Sequence, residues 1–309
     1  YDSFESLYAA VLARLDGHIR TNFEKENGDR IKRTAGSIKP LLSCVVKDCL
    51  ALGTDIEQGG ARYNWIMPSF VGMANLVDAL YAIKTLIFER KELTFAELKA
   101  ALAADFEGHE KLRLKLLNSV PKYGNDLREV DLFAREVGQT YTKPLLQHTN
   151  PRGGMFHAGL YPVSANVPLG HQAGASPDGR LSNTPIADGV GPMSGRDVKG
   201  PTATANSVSR LDLGDASNGT LLNQKFHPSA LAGEMGLEKF VAYLRGFFDQ
   251  KGMHVQYNVI SRETLLDAQA RPENYKTLVV RVAGYSALFT TLSRSLQDDI
   301  ISRTEQSSL

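Results

Sequence analysis

Strand-like and helix-like segments alternate in the last third of the sequence, and this order constrains the fold more than any other feature. Residues 219–226, 254–260 and 277–282 are rich in β-branched or alternating side chains, which predicts three strands. Between them, apolar residues recur at helical spacing over 237–248, and a shorter helix is predicted over 265–270. This order of elements favours an α/β fold in which neighbouring strands run parallel.

The second of these strands has one polar face. From His254 to Ile260, the residues His, Gln and Asn alternate with Val, Tyr and Val. Because successive side chains of a strand point to opposite faces, the three polar side chains lie on the same side. We therefore expect this strand to present polar groups to one neighbouring layer.

The sequence up to about residue 150 is predicted to be mainly helical. Pro40 opens an apolar helix that extends through Leu52, since proline is favoured at the first helical position. Further on, Thr94 and Glu97 have the spacing of a capping box.

The middle of the sequence differs in composition from both ends. Residues 151–200 hold ten of the 27 glycines, yet they are too apolar for a linker, so we expect ordered loops and short strands that line a site. The predicted organisation is a mainly helical part over 1–150, followed by strands and pocket loops over 151–309.

Composition excludes several classes of function. The net charge of +1 gives no electrostatic case for binding nucleic acid, and no apolar run is long enough to span a membrane. The two cysteines, Cys44 and Cys49, do not form a CxxC motif and are interpreted as buried thiols in a reducing cytoplasm. The seven histidines show no metal-ligand spacing, so no metal is expected.

Gly284 lies where the last predicted strand ends, in the stretch RVAGYSA from Arg281 to Ala287. Downstream, Leu292, Leu296 and Ile300 recur every four residues, which predicts a helix. One explanation for this glycine is a tight turn with a positive φ. Under that interpretation the chain would be an α/β domain that binds a small molecule.

The stretch around Gly284 also resembles the radical-site signature of glycyl radical enzymes, the family of pyruvate formate-lyase and the diol dehydratases. Six further segments resemble landmarks of that family in the family's order. They lie at residues 59–64, 121–126, 176–180, 200–203, 218–226 and 297–304. The resemblance thus extends over nearly the whole chain. This is stronger evidence for the family than a single Gly-Tyr-Ser motif would be.

The resemblance implies a fold and a reason for the glycine. The fold would be the second half of a ten-stranded α/β barrel, with outer helices and a buried C-terminal loop that carries the radical at Gly284. Loss of a hydrogen from Cα leaves a radical between an amide nitrogen and a carbonyl, which delocalise the spin only if the centre is planar. A Cβ atom would crowd that plane, so glycine is required.

The resemblance also implies partners and conditions. No cofactor would be bound, and a separate activating enzyme with an iron–sulfur cluster and S-adenosylmethionine would install the radical at Gly284. Oxygen would quench this radical and cleave the backbone, so an anaerobic, cytoplasmic setting is implied. A homodimer is the default state in the family.

The family's reactive cysteine and its neighbouring glutamate base have no match in this sequence. Neither Cys44 nor Cys49 stands in the family's context, since the equivalent residue would lie upstream of Tyr1. We therefore expect this chain to be the C-terminal portion of a larger enzyme, and not to turn over substrate alone.

The resemblance is greatest to the glycerol and propanediol dehydratase branch, a B12-independent group of lyases. Tyr161, in a Tyr-Pro-x-x-x-Asn context, is the first candidate for substrate contact because a phenol can hydrogen-bond a hydroxyl while its ring packs on carbon. His157 is the second candidate. The alternative for Tyr161 is a core aromatic residue with a satisfied hydroxyl.

Two other functions remain open at this point. One is acyl transfer between pyruvate and coenzyme A, as in the formate C-acetyltransferase type of the family. The other is a radical-bearing accessory subunit without its own catalysis, although such proteins contain little beyond the glycine loop. A sulfonate substrate is disfavoured because no arginine lies between Gly153 and Arg180 to bind it.

Overall fold

The structure is a computed structural model that describes residues 1–308 and, at Ala35, the backbone only. The described chain separates into two compact units. The first combines Tyr1–Pro68 with Gln139–Gly159, and the second combines Ser69–Gly138 with the chain from Leu160 onward. The predicted division at residue 150 stays a prediction.

Regular elements that begin before residue 150 are helices. Among the described residues they are α1 (Phe4–Gly36), α2 (Pro40–Val45), α3 (Cys49–Leu52), α4 (Met73–Ile83), α5 (Phe95–Ala103), α6 (Glu110–Asn118) and α7 (Arg128–Leu145). The capping box is present at α5, where Thr94 Oγ1 accepts from the Glu97 amide at 3.2 Å and Glu97 Oε2 accepts from the Thr94 amide at 2.8 Å.

The single helix expected from Pro40 to Leu52 is wrong. Asp48 has a φ of 77°, and this left-handed residue separates α2 from α3. Cys44 is exposed and Cys49 is buried, so only one of the two thiols is buried as expected. In the same unit, Phe23 packs against Phe156 with ring centroids 4.4 Å apart.

The remaining elements combine helices with short strands. The helices are α8 (Asn166–Gln172), α9 (Pro201–Ser209), α10 (Gly233–Asp249), α11 (Arg262–Ala270) and α12 (Arg294–Ser302). The strands are β1 (Gly159–Leu160), β2 (Gly219–Thr220), β3 (Asn223–Phe226), β4 (Gln256–Val259), β5 (Val279–Arg281), β6 (Ser286–Leu288) and β7 (Glu305–Gln306).

The parallel arrangement predicted from the order of elements is confirmed for the central sheet. Strand β3 pairs in parallel with β4 on one side and with β7 on the other. Asn223 is opposite Gln256, and Lys225 is opposite both Asn258 and Glu305. Among residues 1–308 the sheets have only two or three strands, so the structure is mixed α/β with few strands.

The structure departs from the expected course of the chain around Gly284. Strands β5 and β6 form an antiparallel hairpin, with Val279 opposite Leu288 and Arg281 opposite Ser286. Sequence analysis predicted the first strand of this hairpin but missed the second. The reason is that Ser286–Leu288 is too short to show a period.

A compact apolar cluster supports this hairpin within the second unit. Val280 and Val282 are buried in it, together with Phe289, Leu265 of α11 and Ile300 of α12. Burying an aliphatic side chain contributes roughly 1.5–3 kcal/mol, so the cluster fixes the base of the hairpin. In the described chain no helix is both long and apolar enough to cross a bilayer.

Candidate functional site

Gly284 occupies the turn of the β5–β6 hairpin. The amide of Val282 donates to the carbonyl of Tyr285 at 2.9 Å, a bond between the two arms of the hairpin that leaves Ala283 and Gly284 at its tip. Gly284 has a φ of +83°, in the left-handed region that favours glycine. This conformation alone favours glycine, so the backbone does not distinguish a radical site from an ordinary turn.

The burial expected for the loop is not found in the described chain. Gly284 is exposed, although Val282 and Ala283 just before it are buried. The one heavy atom within 4 Å of an ideal Cβ on Gly284 is Leu221 Cδ1, at 3.8 Å. The physical reason is that few of the described residues cover this side of the turn: outside the chain neighbours, only Leu221 comes within 4 Å of the Cβ position.

Gln256 on β4 binds the turn through its side-chain amide. Its Oε1 atom accepts from the Gly284 amide at 3.0 Å and from Arg281 Nη2 at 3.1 Å. Its Nε2 atom donates to the Val282 carbonyl at 3.3 Å and also to Asn223 Oδ1. Because Gln256 is only 5% exposed, these partners satisfy a buried carboxamide.

Asn258, two residues along the same strand, binds the hairpin in a similar way. Its Oδ1 atom accepts from the Arg281 amide at 2.8 Å, and its Nδ2 atom donates to the Arg281 carbonyl at 2.8 Å. The polar face predicted for this strand is thus the face that contacts the Gly284 hairpin. His254, the third member of that face, is half-buried, and burial lowers its pKa, with Arg281 acting in the same direction.

A buried ion cluster lies behind this face. Asn223 Nδ2 donates to Asp188 Oδ2 at 2.5 Å, and Arg303 Nε lies 3.3 Å from the same carboxylate. Arg303 Nη2 also reaches Asp299 at 3.1 Å. Burial raises the pKa of Asp188 to about 6, while the Arg303 guanidinium opposes that rise.

Tyr161 lies in the same unit as Gly284 and is half-buried. Its hydroxyl oxygen accepts from Asn218 Nδ2 at 2.7 Å. The residue before it, Leu160, accepts at its carbonyl from the Leu221 amide at 3.3 Å. The side chain of Leu221 also lies 3.8 Å from an ideal Cβ position on Gly284, so Leu221 links the strand before Tyr161 to the turn at Gly284.

His157 belongs to the other unit. Its ring lies 4.6 Å from the Trp65 ring, centroid to centroid, and its amide donates to the Ile66 carbonyl at 2.8 Å. The ring is half-buried on this aromatic neighbour. These contacts fix the orientation of His157 within its own unit.

The residues that hold the turn are not apparent from the sequence. Gln256 and Asn258 belong to the alternating polar face of β4, and that pattern does not indicate which groups the face binds. Asp188 and Arg303 are separated by more than a hundred residues in sequence, so no local pattern could pair them. The one available signal was the unusual placement of amide side chains on a predicted inner strand.

One group of side chains has the spacing of a metal site in the described residues. The ligand atoms of His227, Glu263 and Glu305 lie within 4.8 Å of one another. However, His227 Nδ1 lies 3.2 Å from the Ser229 amide, which donates to it, and Glu305 accepts from the Arg262 amide at 2.6 Å. Local hydrogen bonds therefore account for this group, and we assign no metal to it.

Comparison with known proteins identifies the class. Residues 1–170 match the pyruvate formate lyase-like family model, and residues 186–290, which include Gly284, match the glycine radical model. A probable dehydratase of Escherichia coli (strain K12), YbiW, is 50% identical over 274 residues, which cover 86% of this chain and 34% of that protein. The chain therefore belongs to the glycyl radical enzyme family, as the sequence motifs indicated.

Two solved structures are similar over nearly the whole chain. One, on 1,2-propanediol dehydration in Roseburia inulinivorans, has a TM-score of 0.94 at 53% identity and covers 99% of this chain and 39% of that one. The other, the glycerol-bound B12-independent glycerol dehydratase from Clostridium butyricum, has a TM-score of 0.94 at 48% identity with the same coverage. The chain thus spans about two fifths of the length of these relatives.

Proposed function

We propose that this chain is the radical-bearing, C-terminal portion of an oxygen-sensitive glycyl radical dehydratase that acts on a small diol such as glycerol or propanediol. The observation that carries the proposal is the match over 99% of the chain, at 48% to 53% identity, to structures concerned with glycerol and 1,2-propanediol dehydration. Its glycine radical region includes Gly284. A ten-stranded barrel would be completed by chain outside this sequence.

Gly284 is the proposed radical carrier. A separate S-adenosylmethionine/iron–sulfur activating enzyme would abstract one of its Cα hydrogens. Among the described residues outside its chain neighbours, only Leu221 comes within 4 Å of the Cβ direction, so this part of the chain leaves room for a planar Cα. In the complete enzyme, the other half of the barrel would cover the turn and exclude oxygen.

The reaction implied is a 1,2-elimination of water. A cysteine thiyl radical from the other portion would take a hydrogen from the carbon that bears one hydroxyl, forming an S–H bond and a carbon radical. The neighbouring hydroxyl would leave as water with a proton from an acid while a base takes the proton of the first hydroxyl, which becomes the carbonyl; return of the hydrogen from the thiol to the adjacent carbon would then give the aldehyde and restore the thiyl radical. This chain would supply Tyr161, and His157 as a second candidate, to contact the substrate hydroxyls.

A diol is favoured over a sulfonate by the environment of Arg180. Relatives of this chain include a (2S)-3-sulfopropanediol dehydratase from Klebsiella oxytoca, at 41% identity. In the present structure Arg180 Nη1 donates to the carbonyls of Leu181 at 2.9 Å and Thr184 at 2.8 Å. Its Nη1 hydrogens are therefore engaged by the backbone, which leaves Arg180 fewer donors for a sulfonate.

The proposal is tested by backbone cleavage in the complete enzyme. After anaerobic activation, exposure to air is expected to release a C-terminal fragment that begins near Tyr285, identified by mass spectrometry. Gly284→Ala is expected to prevent cleavage, whereas Gly195→Ala, a matched change at another exposed glycine with a φ of +77°, is expected to leave it unchanged. An activated enzyme that stays intact in air would contradict the proposal.

Substrate class is tested on the same activated enzyme. Turnover is measured separately with glycerol, 1,2-propanediol, isethionate, and pyruvate with coenzyme A. We expect an aldehyde from at least one diol. Formation of acetyl coenzyme A and formate instead would support the acyl-transfer alternative, and activation without turnover of any substrate would support an accessory subunit.

A further inference from the structure

We propose that Gln256 is a positioning residue for the radical: its side-chain oxygen accepts a hydrogen bond from the Gly284 amide and so holds the Gly284 peptide in one orientation. This inference deepens the proposed function and rests on it for the identity of the radical. It assigns a role to a side chain that contacts the backbone of the turn and not the substrate.

The carboxamide of Gln256 has only one orientation that satisfies its neighbours. Arg281 Nη2 can only donate, so the oxygen of Gln256 faces Arg281 and Gly284. The Val282 carbonyl can only accept, so the nitrogen of Gln256 faces Val282. A rotation of the amide by 180° would place donor against donor and acceptor against acceptor.

This orientation is set from outside the turn by the buried ion cluster. Arg303 lies against Asp188, and the ionised Asp188 carboxylate accepts from Asn223 Nδ2. Asn223 therefore turns its oxygen toward Gln256, which donates to it and turns its own oxygen toward Gly284. A chain of polar contacts thus runs from a buried charge to the Gly284 amide, and such chains polarise each successive bond.

The chemistry of a backbone radical explains why this bond is useful. Spin at Cα is delocalised by donation from the amide nitrogen and by withdrawal into the carbonyl. When Gln256 Oε1 accepts a hydrogen bond from the Gly284 N–H group, electron density on the amide nitrogen increases and rotation of the peptide is restrained. Gln256 therefore supplies both electronic support and a fixed plane for the radical at Gly284.

A first experiment measures the hydrogen bond without any radical. Hydrogen–deuterium exchange at the Gly284 amide is followed in the complete, unactivated enzyme for Gln256→Met, which keeps side-chain length but removes the acceptor. The matched control is Gln224→Met, because Gln224 is a buried glutamine on the adjacent strand β3 whose contacts are Tyr243 and Pro201.

We expect exchange at Gly284 to be at least about tenfold faster in Gln256→Met and unchanged in the control, since a tenfold change corresponds to the loss of roughly one hydrogen bond. Asn223→Ala is the second variant, should Gln256→Met fail to fold, and its exchange is expected to be about threefold faster. Equal exchange in the test and control variants would overturn the proposal.

A second experiment separates positioning of the radical from support of the turn. Electron paramagnetic resonance of the activated enzymes is expected to show an altered α-hydrogen splitting in Gln256→Met and the wild-type splitting in Gln224→Met. Faster exchange with an unaltered splitting would overturn the positioning role. A wild-type enzyme that forms no radical would contradict the proposed function, while the exchange comparison would still decide whether Gln256 holds the turn.

Discussion

Asn258 makes two hydrogen bonds of 2.8 Å with the backbone of Arg281: its Oδ1 accepts from the amide, and its Nδ2 donates to the carbonyl. Its side chain thereby imitates the main chain of a neighbouring strand. Together with Gln256, it attaches the hairpin of β5 and β6 to β4 through side-chain amides. The position of Gly284 is therefore determined by a few polar side chains on one face of β4.

The bonds of Asn258 predict a measurable loss of stability when they are removed. Asn258→Ala leaves the Arg281 amide without its acceptor, which is expected to lower the free energy of unfolding by about 1–3 kcal/mol. Asn274→Ala, at an exposed position, is the control and is expected to change it by less than about 0.5 kcal/mol. Denaturant titration of both variants measures the difference, and equal midpoints would contradict this account.

Arg303 predicts a larger effect because it is nearly buried between two carboxylates. Arg303→Met leaves Asp188 and Asp299 without their shared cation, with an expected cost of about 3–5 kcal/mol. Arg294→Met removes an exposed pair with Asp298 and is expected to cost less than about 1 kcal/mol. Thermal unfolding of the two variants tests the contrast, and similar melting temperatures would refute it.

Asp78 predicts a dependence of stability on pH. Its carboxylate is 1% exposed and accepts from the Tyr123 amide at 2.9 Å. Burial raises its pKa to about 7, with Asp178 acting in the same direction and Lys122 and Arg196 opposing. Because the folded state holds this proton more tightly than the unfolded state, the contribution of Asp78 falls as pH rises from about 4 to about 7.

The variant Asp78→Asn removes this titration. The stability of the wild type relative to Asp78→Asn is expected to fall by roughly 3–4 kcal/mol between about pH 4 and pH 7. Asp249→Asn, at an exposed residue of α10, is expected to follow the wild-type profile. Denaturant unfolding at several pH values provides the measurement, and a constant difference across that range would show that Asp78 does not titrate there.

Replacement of Tyr161 is expected to lower catalytic efficiency and not only the stability of the fold. In the complete enzyme, Tyr161→Phe removes the hydroxyl that accepts from Asn218, and kcat/KM on the preferred diol is expected to fall at least about tenfold. The control is Tyr275→Phe, whose hydroxyl donates to Asp267 at 2.7 Å and has no assigned catalytic role. Unchanged efficiency of Tyr161→Phe on every diol would remove Tyr161 from the site.

Elements with a periodic residue pattern could be predicted from the sequence, whereas contacts between residues distant in sequence could not. Helix α10 followed from its apolar period, because an apolar face must be buried whatever covers it, and β4 followed from its alternating pattern. The single strand predicted over 219–226 is instead divided into β2 and β3, which belong to different sheets. Strand β6 was missed because three residues cannot display a period. The turn at Gly284 was expected from the sequence, but its polar supports came from distant residues that only the folded chain brings together.

The candidate site shows the same limit. Family motifs located Gly284, and the glycine radical match confirmed the region that contains it. They did not indicate Gln256, because the residues next to a glutamine in sequence do not show which backbone amide its side chain binds. The exposure of Gly284 was also unexpected, because burial depends on which residues cover the turn and not on the turn itself.

The central claim is that Gly284 carries a stable backbone radical, and electron paramagnetic resonance tests it most directly. The complete enzyme is activated without oxygen by its activating enzyme, and spectra are recorded in water and in heavy water. We predict a doublet that collapses in heavy water as the Gly284 hydrogen exchanges, and that is absent from Gly284→Ala. No signal from the wild type, with an activating enzyme proven competent on another substrate, would reduce Gly284 to an ordinary turn.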